Sequence, residues 1–196
     1  MRQINILILS VLLLFFSPFS TADWMVTPSM GYTIGGTVLN QTGTQYDLES
    51  SSSYALAIET PYQKGRVGLF YFAQPTQVET LVNQDANIHY LHFQSSIYYP
   101  ISDKFSSFIG LGLGGAYTDV NWADKKYGFS ASAFGGFEYQ IASHIAVNAQ
   151  LRWLGTMVDS DSTAACTLPS SESCIVKFNS DWLNQASAQI GITIRF

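Results

Sequence analysis

Charged residues are scarce in this sequence. Asp, Glu, Lys and Arg make up 12% of its 196 residues, where a soluble domain carries about 25%. Positive charge is the scarcer sign: nine Lys and Arg stand against fourteen Asp and Glu, for a net charge of −5. That argues against a nucleic-acid partner, which needs a basic patch. Cysteine is nearly absent, with only Cys166 and Cys174, and no further ligands stand near them to suggest a metal centre. Beyond the first residues no run of 18 apolar positions occurs, so a transmembrane helix is not expected. Helical periodicity is also hard to find. Aromatic residues, by contrast, reach 14% and outnumber the charged ones.

The start of the chain sets a compartment. Met1 and Arg2 give a short positive opening, and Ile4 to Phe16 is apolar apart from Asn5 and Ser10. Ser17, Pro18 and Phe19 then break the run, and Ser20 and Ala22 fit the small-x-small rule for cleavage. Residues 1–22 are therefore expected to be a cleaved secretory signal peptide, with one domain over residues 23–196. Asp23, not a cysteine, stands directly after the cleavage point, so a lipoprotein anchor is not expected. In an exported protein the Cys166–Cys174 pair reads as a disulfide.

Period-2 alternation, the signature of strands, recurs through the rest. It predicts strands at Met30–Leu39, Tyr54–Pro61, Arg66–Gln74, Ile88–Tyr99, Phe105–Thr118, Gly128–Gln140, Ile145–Met157 and Gln185–Phe196, with Trp24–Ser29 as a lead-in or an extension of the first. Four long polar connections alternate with three short turns, and most acidic residues fall in the long ones. The expected fold is all-β: a closed, antiparallel, eight-stranded, up-and-down transmembrane barrel. Short turns then face the periplasm and long loops the exterior.

The two faces of each strand differ in kind. Ile190, Ile192, Ile194 and Phe196 oppose Gln189, Gly191, Thr193 and Arg195. Phe137 and Tyr139 oppose Glu138, and Leu151 and Trp153 oppose Arg152. A soluble barrel would alternate too, but its polar face would be dense in Lys and Glu. Here that face is mostly Gly, Ser, Thr, Asn and Gln, suited to the crowded interior of a small barrel. Glu59, Glu138, Arg152 and Arg195 are the expected interior charges, pairing with one another because a lone buried charge is costly. Tyr98, Tyr99, Phe105, Tyr139 and Phe196 fall near one rim, and Tyr117, Trp122, Tyr127, Phe129 and Trp182 near the other. Two such bands suit the headgroup levels of a bilayer.

The last residues, Gln189-Ile190-Gly191-Ile192-Thr193-Ile194-Arg195-Phe196, resemble the C-terminal β-signal of bacterial outer-membrane proteins at Gln189, Gly191, Ile194 and Phe196. From Trp24 to Phe196 the chain resembles the small eight-stranded OmpA/OmpX-like and opacity-type outer-membrane barrels. The resemblance implies insertion by the barrel-assembly machinery, surroundings of outer-membrane lipid and lipopolysaccharide, and a monomer. It also implies a structural or surface-interaction role. A few barrels of this group are narrow channels for small or apolar solutes, or lipid A-modifying enzymes, and these stand as alternatives.

No catalytic set is expected. His89, His92 and His144 lack a Ser two residues on, and His92 and Ser95 point to opposite faces. A nucleophile needs a base within reach. Asp159 and Asp161 open like a calcium loop, but the Gly and Glu that complete an EF-hand are missing. No cofactor or metal is expected.

Overall fold

The computed structural model describes residues 23–39, 45–77, 85–119, 127–157, 163–167, 173–177 and 182–196. The expected signal peptide lies outside the described residues, as do Trp122, Asp159 and Asp161. Twelve strands follow one another among them: β1 (Met25–Ile34), β2 (Thr37–Leu39), β3 (Gln45–Asp47), β4 (Ser51–Tyr62), β5 (Gly65–Gln77), β6 (Asp85–Pro100), β7 (Phe105–Asp119), β8 (Tyr127–Ala142), β9 (Ile145–Met157), β10 (Thr163–Thr167), β11 (Ser173–Lys177) and β12 (Trp182–Arg195).

Eight of these close into one barrel in the order β1-β12-β9-β8-β7-β6-β5-β4, with β4 returning to β1. Every neighbouring pair is antiparallel. The wall strands run from 10 to 16 residues, and about 9–11 tilted residues suffice to cross a bilayer. Short connections at Gln63–Lys64, Ile101–Lys104 and Ser143–His144 gather at one end. Trp24, just before β1, and Phe196 join them there: Arg195 donates its N–H to His144 O at 2.9 Å, and Phe196 to Trp24 O at 2.9 Å. This is the turn end. The strand ends at Ile34, Ser51, Gln77, Asp85, Asp119, Tyr127, Met157 and Trp182 mark the opposite, loop end.

Two expectations change. The first wall strand is Met25–Ile34, so the lead-in is part of the wall. It stops where Gly35 and Gly36 take φ of 84° and 117°, a region glycine enters without the Cβ penalty. The chain then turns into the separate β2–β3 hairpin. The longest connection likewise holds a hairpin, β10–β11. β3, β10 and β11 lie in segments expected to be loops, while β2 takes the end of the expected strand Met30–Leu39 out of the wall.

The closing seam has a local irregularity. Between β1 and β12 the register is constant from Val26↔Ile194 to Ser29↔Gly191, but Thr27 and Pro28 have no ladder partners there. Proline has no N–H to give the ladder. On the lumen side a hydroxyl contact of 3.0 Å between Thr27 and Thr193 bridges the same gap.

The barrel is inside-out relative to a soluble protein. Leu69, Leu91, Phe93, Ile109, Leu111, Leu113, Leu151, Ile190 and Ile192 are all exposed on its outer wall, Leu111 by 67%. Among the described outward side chains of the eight wall strands, none is Asp, Glu, Lys or Arg. The charged residues turn inward, where Glu59, Arg66, Glu138 and Arg152 are buried. Water would favour the reverse; hydrocarbon favours this.

Candidate functional site

The most developed chemistry lies inside the barrel, in three levels. At the turn end, Arg66 of β5 reaches across to Glu138 of β8. Its two terminal nitrogens donate to the two carboxylate oxygens at 2.8 and 2.5 Å. Such a fork-to-fork pair fixes geometry as well as charge. Arg195 adds a third contact to Glu138 at 3.4 Å. The Arg66 guanidinium also lies 4.1 Å from the centre of the Tyr98 ring, and Tyr98 stacks on Phe108. Tyr98 therefore faces the lumen, not the aromatic band where the sequence reading put it. Lys64, Lys104, Asp23 and Asp103 line the vestibule that opens from this level.

At mid-barrel, Arg152 extends from β9 toward β5, four strands away around the ring. It is 2% exposed. Its guanidinium lies between Phe70 and Phe134, 3.7 and 3.9 Å from their ring centres, a cation–π sandwich. It donates to Ser132 Oγ at 3.0 Å and to Gln94 Oε1 at 2.8 Å. Gln94 in turn donates to Glu59 at 2.9 Å. Arg152 thus meets Glu59 through an amide relay, and not as the direct ion pair expected from the sequence.

His92 belongs to the same level. Its two ring nitrogens stand 2.5 Å from Ser130 Oγ and 3.1 Å from Ser132 Oγ. Those serines lie on β8, two strands away, while Ser95 faces outward. A Ser–His pair is therefore present, but His92 is wholly buried under Phe70 and Tyr90.

Toward the loop end, Tyr90 donates to Gln185 Oε1 at 2.7 Å across the full width of the ring. Gln185 donates to Gln74 at 2.9 Å, and Thr156 to the Tyr90 hydroxyl at 3.2 Å. Phe72 and Leu154 fill the space beside them. Thr33, Ser53 and Ser187 form a further hydroxyl cluster at 3.0 Å.

Arg66, Gln94 and the phenyl rings that hold Arg152 were not singled out from sequence, and His92 was weighed only against Ser95 on its own strand. β5 and β6 are aromatic on both faces, so alternation alone does not say which side is in. The usable signal was Arg66 itself: a charge in a wall strand fixes that strand's parity.

The remaining sequence-derived positions are dispersed. Gln189 faces inward, accepting from Gln150 at 2.5 Å and donating to Ser187 at 3.2 Å. Gly191 is buried, where an added Cβ would meet Ser29 and Asn148. Ile194 and Phe196 are exposed on the outer wall. Cys166 and Cys174 are directly opposed in the β10–β11 register; their side chains lie outside the described residues. Among the described residues, no three His, Cys, Asp or Glu side chains gather as metal ligands would.

Solved structures share this architecture. Neisserial surface protein A (NspA) superposes with a TM-score of 0.63 at 10% identity, covering 88% of this chain and 97% of that one. OprG of Pseudomonas aeruginosa gives 0.59 at 14% identity, covering 89% and 96%. The fold is that of the small eight-stranded outer-membrane barrels. AlkL, an outer-membrane protein whose structure was determined in DMPC bilayers, gives 0.54 at 12% identity, covering 92% of each chain. No protein-family model and no curated protein sequence matches the chain.

Proposed function

We propose that the chain is an integral protein of the bacterial outer membrane with a structural or surface-interaction role, its loop end outside and its turn end in the periplasm. One observation carries this reading: among the described side chains of the wall strands none that faces outward is charged, while Glu59, Arg66, Glu138 and Arg152 are buried inward and hydrogen-bonded. Short turns at one end and long connections at the other support the orientation. A protein of this kind is expected to be a monomer surrounded by lipid and lipopolysaccharide, with no nucleic-acid partner.

The sequence Gln189-x-Gly191 to Ile194-x-Phe196 suits recognition by the barrel-assembly machinery. Phe196→Ala is expected to lower the amount of heat-modifiable, folded protein in the outer membrane; unchanged amounts would count against the signal. Opposed cysteines in the β10–β11 hairpin suit a disulfide that limits the longest connection. Thiol alkylation without reductant would then leave both unmodified, whereas labelled cysteines would show them free.

Membrane fractionation tests the central reading. The protein is expected to stay with outer membranes after an alkaline wash. Release into the soluble fraction would contradict it.

Burial of His92, whose ring nitrogens meet Ser130 and Ser132 and no carboxylate among the described residues, favours a non-enzymatic role. A narrow channel is the second reading, and filling of the mid-barrel by Arg152, Phe70 and Phe134 weighs against it. Planar-bilayer recordings are expected to show no conductance steps. Steady steps that change with Arg152→Ala would reverse the preference.

A further inference from the structure

His89 is the exception on the outer wall. Among the described outward side chains of the wall strands it is the only one with an ionisable nitrogen. Below it on the same face of β6 stand Leu91 and Phe93, both exposed, with Leu69 on β5 and Leu113 on β7 at either side. Above it stands Asn87, also exposed. His89 therefore marks the level at which the apolar wall gives way to the polar loop end. A free N–H donor deep in hydrocarbon is costly, whereas headgroups offer acceptors at this level.

The imidazole is held, not loose. Tyr71 stacks on one side, with ring centres 6.0 Å apart and planes 19° from parallel. Tyr117 stacks on the other at 6.1 Å and 25°. Tyr127 continues the row against Tyr117 at 5.0 Å. The Tyr71 hydroxyl lies 2.9 Å from His89 Nδ1. With the phenol donating to Nδ1, the hydrogen of the neutral ring sits on Nε2. A hydrogen bond at one ring nitrogen sets what the other can do. Here it leaves Nε2–H as a donor with no protein acceptor among the described residues.

We propose that His89, clamped between Tyr71 and Tyr117, binds the phosphate group of a membrane lipid headgroup through Nε2–H. The inference rests on the membrane reading above and adds a site to it. Tyr71 acts as a positioning residue, through its hydroxyl.

Solid-state NMR of the full chain in phosphatidylethanolamine bilayers tests the site and its frame together. A 31P contact at the His89 side chain is expected, and it should be lost in Tyr71→Phe, which keeps the ring and removes the hydroxyl. Lipid-methylene contacts at Leu111 and Ile190 should persist in both proteins. Methylene contacts without a 31P contact at His89 would overturn the site and leave the membrane reading standing. Absence of both kinds of contact would overturn both. An undiminished 31P contact in Tyr71→Phe would overturn the positioning role. In dodecyl maltoside without phospholipid, inorganic phosphate is expected to leave the His89 signals unmoved; a shift matching that seen in bilayers would overturn the lipid as the source of the phosphate.

Discussion

Arg152 carries a guanidinium into the middle of the barrel, where hydrogen bonds and two phenyl faces take the place that water would fill. Glu138 does the same for negative charge nearer the turn end. Arg66 is the larger of its two partners, with both carboxylate oxygens engaged. Removing one partner of a buried pair strands the other, at a cost of about 3–5 kcal/mol. Arg195 remains within 3.4 Å of Glu138, so Arg66→Ala is expected to sit at the lower edge, about 3 kcal/mol. Reversible urea unfolding in lipid vesicles measures this, and a change below about 1 kcal/mol would mean that Arg195 and water suffice. Alternation along single strands is enough to put Glu138 away from Phe137 and Arg152 away from Leu151. It says nothing of Arg66, Gln94 or Phe70, because those partners arrive from across the ring, and the register between opposite strands is not written in either one.

At the scale of elements, β7 and β8 show how one strand's smallness makes room for another's bulk. The inner face of β7 carries Gly110, Gly112 and Gly114 in succession. A Cβ on Gly110 would land on the Phe134 ring, and one on Gly112 would meet Ser132 and His92. These glycines therefore give space to the ring that flanks Arg152 and to the His92 cluster. Gly110→Val is expected to displace Phe134 and lower stability by about 1–3 kcal/mol, the usual cost of overpacking. An unchanged unfolding midpoint would show that the ring has room to move. The wall strands themselves were legible because their outer faces are so consistently apolar, and Ile145–Met157 has the same limits in both readings. Less legible were the β2–β3 and β10–β11 hairpins, built from strands of three to five residues that are too short for alternation to show, and the end of β1, which depends on the backbone of Gly35 and Gly36.

The whole molecule is a closed wall whose two sides have exchanged the roles they play in water. Eight strands, their antiparallel order and their closure follow from alternation, from alternating connection lengths and from an even strand count. What fills the ring does not follow from these. A lumen lined only by small residues would leave a narrow path, whereas Arg152, Phe70, Phe134, Tyr90 and Leu154 occupy the cross-section here. Side-chain volume on the inner face, summed around the ring, decides between the two, and that sum requires the register of every strand.

Paramagnetic broadening in lipid bilayers tests the central claim most directly. A spin label on the acyl chain should broaden the side chains of Leu111, Leu151 and Ile190. A water-soluble paramagnetic agent should leave these three sharp, and neither probe should reach Gln94 or Ser132. Broadening of Leu111 and Ile190 by the water-soluble agent, with none from the acyl-chain label, would contradict the account.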